Sequence, residues 1–107
     1  MKIIVVDDDV IMLQAIKNML VKNGYKVFAT TDAQDALDTI MEENFDLIIS
    51  DIMMPYISGI ELLSAMKRIN NKLPIIIISA LDQNEVVLRS FQEGAADFVK
   101  KPINLNE

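Results

Sequence analysis

Three stretches of this chain, "IIVV" at 3–6, "LIIS" at 47–50 and "IIIIS" at 75–79, carry apolar residues at consecutive positions. Successive side chains of a strand point to opposite faces of its sheet, so runs like these belong where both faces are covered. Other stretches have a different period. Met12, Ala15, Ile16 and Met19 recur at i, i+3, i+4 and i+7, the spacing of one helix face, and Gly24 follows near that helix's end. Strands are therefore expected at Lys2–Val6, 25–30, 46–50, 74–79 and Asp97–Lys100, with helical segments between them. The later helices open at "TDAQ" from Thr31, "SGIE" from Ser58 and "DQNE" from Asp82, each a capping residue with Glu or Gln three positions on, and the fourth ends before Gly94.

Strict alternation of strand and helix implies parallel strands joined by right-handed crossovers, with helices on both faces of the sheet. "YKVFAT" alternates in polarity and "DFVK" is short and flanked by charge, which assigns both to edges. Short connections between neighbours then give the strand order 2-1-3-4-5, a flavodoxin-like doubly wound five-stranded α/β sheet. Ligands of such sheets sit beyond the carboxyl ends of the strands, at the switch point between strands 1 and 3.

Composition limits the chemistry available there. The chain has 107 residues, enough for one domain with a core, and 51% of them are hydrophobic. Neither cysteine nor histidine is present. That removes disulfides, thiolate nucleophiles, imidazole ligands and the usual general base, leaving carboxylates, hydroxyls, lysines and backbone amides. A formal charge of -6 argues against direct nucleic-acid contact by this domain, which needs clustered Lys and Arg. The apolar runs are too short to span a membrane, and the N-terminus lacks a signal-peptide pattern, so a cytoplasmic location is expected.

The strand ends hold the decisive residues. Asp7, Asp8 and Asp9 follow strand 1, Asp51 follows the expected end of strand 3, Ser79 closes strand 4, and Lys101 and Pro102 come after strand 5. Singly, each has an ordinary explanation as a helix cap, a turn or a strand-ending polar residue. Together they converge on one topological crevice, which marks a functional site. Adjacent carboxylates repel unless a cation shares the site, and a set of oxygen donors suits Mg²⁺. Asp9 caps the first helix, leaving Asp7 and Asp8 to face the cleft.

"VVDDD", "SDIMMPYISGIELL", "IIIISA" and "DFVKKP" together resemble, in order and spacing, the receiver (phosphoacceptor) domain of two-component response regulators, the chemotaxis receiver among them. The resemblance covers essentially the whole chain. It implies a phosphorylation-activated signalling switch of a phosphorelay, and not a turnover enzyme, in which Asp51 accepts a phosphoryl group from a phosphohistidine. It also implies Mg²⁺ ligation by Asp8, Asp51 and the backbone carbonyl of Met53, with Asp7 acting through water. Ser79 and Lys101 would bind phosphoryl oxygens, Ser79 and Phe98 would form the switch, and the bond before Pro102 would be cis. Ser79 stands where the family often has Thr, and Phe98, where Tyr is common, offers no hydroxyl. The implied partners are a sensor histidine kinase or phosphotransfer protein and an output domain or effector outside this chain.

"INLNE" at the C-terminus has the pattern of a helix start, with Asn104 as cap, so residues 1–107 are expected to form a single receiver domain truncated at its fifth helix. Loss of that helix would leave an apolar strip on the sheet and favour a homodimer. Two other readings exist. Asp7, Asp9 and Ile11 also resemble the opening motif of haloacid-dehalogenase-type phosphatases, which would make Asp7 the nucleophile of an aspartyl-phosphate enzyme. The second is a receiver-like interaction module that is never phosphorylated.

Overall fold

The computed structural model describes residues 1–51, 53, 54, 57–69, 72–79, 92 and 94–100, and at 53, 54, 57–60, 79 and 98–100 the backbone alone. Its elements run β1 (Lys2–Val6), α1 (Val10–Lys22), β2 (Lys26–Thr30), α2 (Ala33–Glu42), β3 (Leu47–Asp51), β4 (Met53–Met54), β5 (Ile57–Ser58), α3 (Gly59–Ile69), β6 (Ile75–Ser79) and β7 (Asp97–Lys100). The expected fourth helix, from Asp82, and the C-terminal helix start lie outside the described residues. Among those described, no helix is long and apolar enough to cross a membrane.

Five strands form one sheet in the order β2-β1-β3-β6-β7, with every neighbouring pair parallel. This is the order expected from the polarity of the runs, with "YKVFAT" and "DFVK" at the edges. The two-residue strands β4 and β5 form a separate antiparallel pair directly after Asp51. No apolar alternation announces them in "MMPYIS".

Strand parity divides the core in two. Ile4, Val6, Ile48, Ile75 and Ile77 pack with Ala33, Ala36 and Ile40 of α2 and Leu62, Leu63 and Met66 of α3. Ile3, Val5 and Ile78 face the other way and pack with Leu13, Ile16 and Leu20 of α1. Each such aliphatic side chain removed from water contributes roughly 1.5–3 kcal/mol, which is why the consecutive isoleucines occupy central strands. Covering is unequal on the two sides. Ile48, Ile75 and Ile77 are buried, whereas Leu47, Ile49 and Ile76, on the α1 side, are half-buried.

Local signals explain where the helices begin and end, with two corrections. The α1 stripe centres on Leu13, Ile16 and Leu20, and Met12, Ala15 and Met19 lie half-buried at its margin. The expected face was thus displaced by about one position. At the C-terminus of α1, Gly24 adopts φ 91°, its amide donates to the Val21 carbonyl, and the Tyr25 amide donates to that of Leu20. Both bonds belong to a Schellman ending, whose positive φ glycine tolerates without strain. In α2 the cap is Asp32, not Thr31. The Asp32 amide donates to Thr30 Oγ1 at 3.0 Å while its own side chain accepts from the Gln34 amide, holding Asp32 extended in the capping role.

Leu63→Ala should lower stability by about 2–5 kcal/mol, the range for a fully buried leucine. Ile11→Ala, at a side chain 83% exposed, should change it by less than about 0.5 kcal/mol. Urea unfolding measures both, and comparable losses would contradict the assignment of faces.

Candidate functional site

The site is built by register. Val6 of β1 pairs with Ser50 of β3 in a parallel ladder, so the next residue on each strand sets Asp7 beside Asp51. Parity then directs both to one side, because Asp7 continues the Ile3 and Val5 row and Asp51 the Leu47 and Ile49 row. Two carboxylates distant in sequence are brought together by the most strongly determined feature of the fold, its central strand pair.

Asp7 is completely buried and Asp51 nearly so, while Asp8 is exposed. One carboxylate oxygen from each of Asp7, Asp8 and Asp51 lies within 4.8 Å of the others. The backbone around the cluster is fixed from several directions. The Asp7 amide donates to the Thr30 carbonyl at 3.2 Å, and Asp7 Oδ1 accepts from the Asp9 amide at 2.9 Å. Asp9 turns away to cap α1, its Oδ1 accepting from the amides of Ile11 and Met12 at 3.0 and 3.2 Å. Asp51 is the last residue of β3 and pairs with Ile78 of β6.

Three carboxylates in such a space repel one another in the absence of a counter-charge. Their oxygens are hard donors of the kind Mg²⁺ and Ca²⁺ prefer, and the set contains no soft or imidazole ligand. The donor chemistry thus fits the expected Mg²⁺. Of the remaining expected residues, Met53 begins β4 two positions after Asp51. Ser79 is the residue after Ile78, and so lies one step beyond Asp51's partner on the neighbouring strand; it pairs in turn with Lys100 of β7. Phe98 pairs with Ile77 along the same ladder. Lys101 and Pro102 lie outside the described residues.

Ser50 was not singled out by the sequence reading. Its hydroxyl is buried and donates to the Asp51 carbonyl at 3.1 Å. A polar side chain at an inward position, immediately before the aspartate that ends a central strand, is the signal in "LIISD" that could have drawn attention to it.

Comparisons with known proteins bear on the family and the fold. A family model described as the response regulator receiver domain matches residues 3–107. The chemotaxis protein CheY of Bacillus subtilis is 39% identical over 102 residues, covering 94% of this chain and 85% of that protein. A probable transcriptional regulator, ycf29 of Pyropia yezoensis, is 33% identical over 108 residues, 99% of this chain but 49% of the relative. The chain thus spans about half the length of that regulator. The structure of the Francisella response regulator 1452 receiver domain superposes with a TM-score of 0.90 at 37% identity, covering 98% of this chain and 87% of that one.

Magnesium chloride should raise the thermal midpoint above that in sodium chloride of equal ionic strength, by an amount worth about 2.7 kcal/mol at a hundredfold excess over Kd. Asp8→Asn should remove most of the increase and, without divalent cation, leave the chain at least as stable as the parent. An unchanged midpoint in the parent would contradict the cluster's role as a cation site.

Proposed function

The chain belongs to the response regulator receiver domain family, whose members are phosphorylation-activated signalling switches, and from that premise we propose that Asp51 is its phosphoacceptor. The observation that carries the proposal is the gathering of Asp51 with Asp7 and Asp8 within 4.8 Å at the β1–β3 switch point. Residues 1–107 act as one receiver domain.

In the transfer, a carboxylate oxygen of Asp51 attacks phosphorus in line with the donor bond, forming an acyl phosphate as that bond breaks. Residues 1–107 contain no histidine, so the donor comes from outside them. With a phosphohistidine on a kinase or phosphotransfer partner, the P–N bond breaks and the imidazole leaves neutral after taking up a proton. With a small acyl phosphate, the P–O bond breaks and a carboxylate leaves. Asp8, Asp51 and the Met53 carbonyl would hold Mg²⁺, with Asp7 acting through water. When bound, the ion offsets negative charge on the phosphoryl oxygens.

Ser79, at the end of β6, and Lys101, which follows β7 in the sequence, bind phosphoryl oxygens. Phosphorylation adds a charge of about −1.5 to −2 and new acceptor oxygens at Asp51, a demand that a hydroxyl at the end of β6 meets by moving. The segment after Ser79, together with Phe98, is the two-state element, and the surface formed by β7 and the residues between β6 and β7 is where the change is read. Receiver domains imply kinase or phosphotransfer partners and output domains. The output domain or effector lies outside this chain, and the switch functions in the cytoplasm. It performs no turnover chemistry on a separate substrate. Family membership supports this reading over the phosphatase one with Asp7 as nucleophile.

Incubation with a small acyl-phosphate donor and Mg²⁺ should add a single phosphoryl group, measured by intact mass. Asp51→Asn should abolish the addition, whereas Asp7→Asn should slow it. Addition that persists in Asp51→Asn and is lost in Asp7→Asn would overturn the assignment.

A further inference from the structure

Ser50 is a buried hydroxyl on the α2–α3 face of β3, in a row otherwise made of Ile48 and the apolar residues of neighbouring strands. Its side chain donates to the carbonyl of the next residue, Asp51, at 3.1 Å. Nothing in the transfer chemistry requires a hydroxyl on that face. We propose that Ser50 is a positioning residue for the cation site, fixing the Asp51 peptide so that the chain leaves β3 on the path that presents the Met53 carbonyl. This rests on the function proposed above.

A peptide unit is planar, so the position of the Asp51 carbonyl oxygen sets the plane that also carries the following amide. Rotation about the Asp51 Cα–C bond leaves its carboxylate in place but swings everything downstream. In the strand interior the ladder restrains such rotation, since Asp51 pairs with Ile78 and the residues before it pair on both sides. At the strand end the ladder gives way to the β4–β5 turn, and here the Ser50 hydroxyl grips the carbonyl. Asp7 is held independently of this bond, its amide donating to the Thr30 carbonyl and its Oδ1 accepting from the Asp9 amide, and the Asp51 carboxylate stays in place under the rotation. What the hydroxyl controls is therefore the backbone donor of the cation site, and not the acidic cluster.

A group that orients a metal ligand affects affinity before it affects chemistry. Removing the hydroxyl by Ser50→Ala should weaken Mg²⁺ binding by about 2- to 10-fold, the factor expected for one neutral hydrogen bond. Ser50→Thr keeps the hydroxyl and favours a strand, so it should restore affinity. The two are compared with the parent by isothermal titration calorimetry with MgCl₂, alongside the Mg²⁺ dependence of phosphorylation by a small acyl phosphate. The expected result is a shift to higher half-saturating Mg²⁺ in Ser50→Ala, with the rate at saturating Mg²⁺ close to the parent's, and parent-like values in Ser50→Thr. A Kd for Ser50→Ala equal to the parent's would overturn the proposal while leaving Asp51 as phosphoacceptor. So would a loss of rate at saturating Mg²⁺ with unchanged affinity. A parent chain that binds no Mg²⁺ would overturn both this and the reading it rests on.

Discussion

The parallel pairing of β1 with β3 is the constraint on which the rest of the molecule depends. It is held by side chains that allow no other placement, because Ile3 to Val6 and Ile48 are almost entirely buried and a one-residue slip would exchange their faces. The same register that packs Val6 against the α2–α3 layer sets Asp7 beside Asp51. Core packing and site geometry are thus one specification, and burial far from the crevice stabilises a cluster of like charges within it.

That cluster is tolerated because its backbone is anchored and its charges are divided among roles. Asp9 is occupied by the amides at the start of α1, and Asp7 accepts the Asp9 amide, so part of the negative charge already meets oriented N–H donors near the positive end of a helix. Asp8 faces solvent and completes the triad. The opposite end of the strands shows the contrast, for there Lys2 pairs with Glu43 and its amide donates to Asp46. Carboxylates there meet a lysine of the chain, and the three gathered at the crevice form an oxygen-donor set that suits a divalent cation.

Much of this was legible in the residues. β1 and β7 have the expected bounds, β2 and β6 begin one residue later than expected, and β3 is shifted by one residue at both ends, since apolar runs locate a strand while ladder bonds set its limits. Asp7, Asp8 and Asp51 could be assembled because strand order follows from which runs are apolar on both faces. What escaped was finer. The α1 stripe turned by about a position because Leu13 and Leu20 had equal claim with the methionines, and the burial of the sheet decides between them. Asp32 displaced Thr31 as cap through the Thr30 hydroxyl, a contact that local pattern does not reveal. The β4–β5 pair is too short for any period, and the Ser50 contact with the Asp51 carbonyl rests on backbone geometry that local pattern does not reveal.

The proposed nucleophile stands at the end of β3, and not at the end of β1. The most direct measurement is to treat the protein with a small acyl phosphate and Mg²⁺, reduce the acyl phosphate with borohydride, and sequence the resulting peptides by mass spectrometry. Reduction converts a phosphorylated aspartate to homoserine and so labels the residue itself. Homoserine at position 51, with aspartate retained at 7, 8 and 9, is the predicted result; homoserine at position 7 would contradict the account.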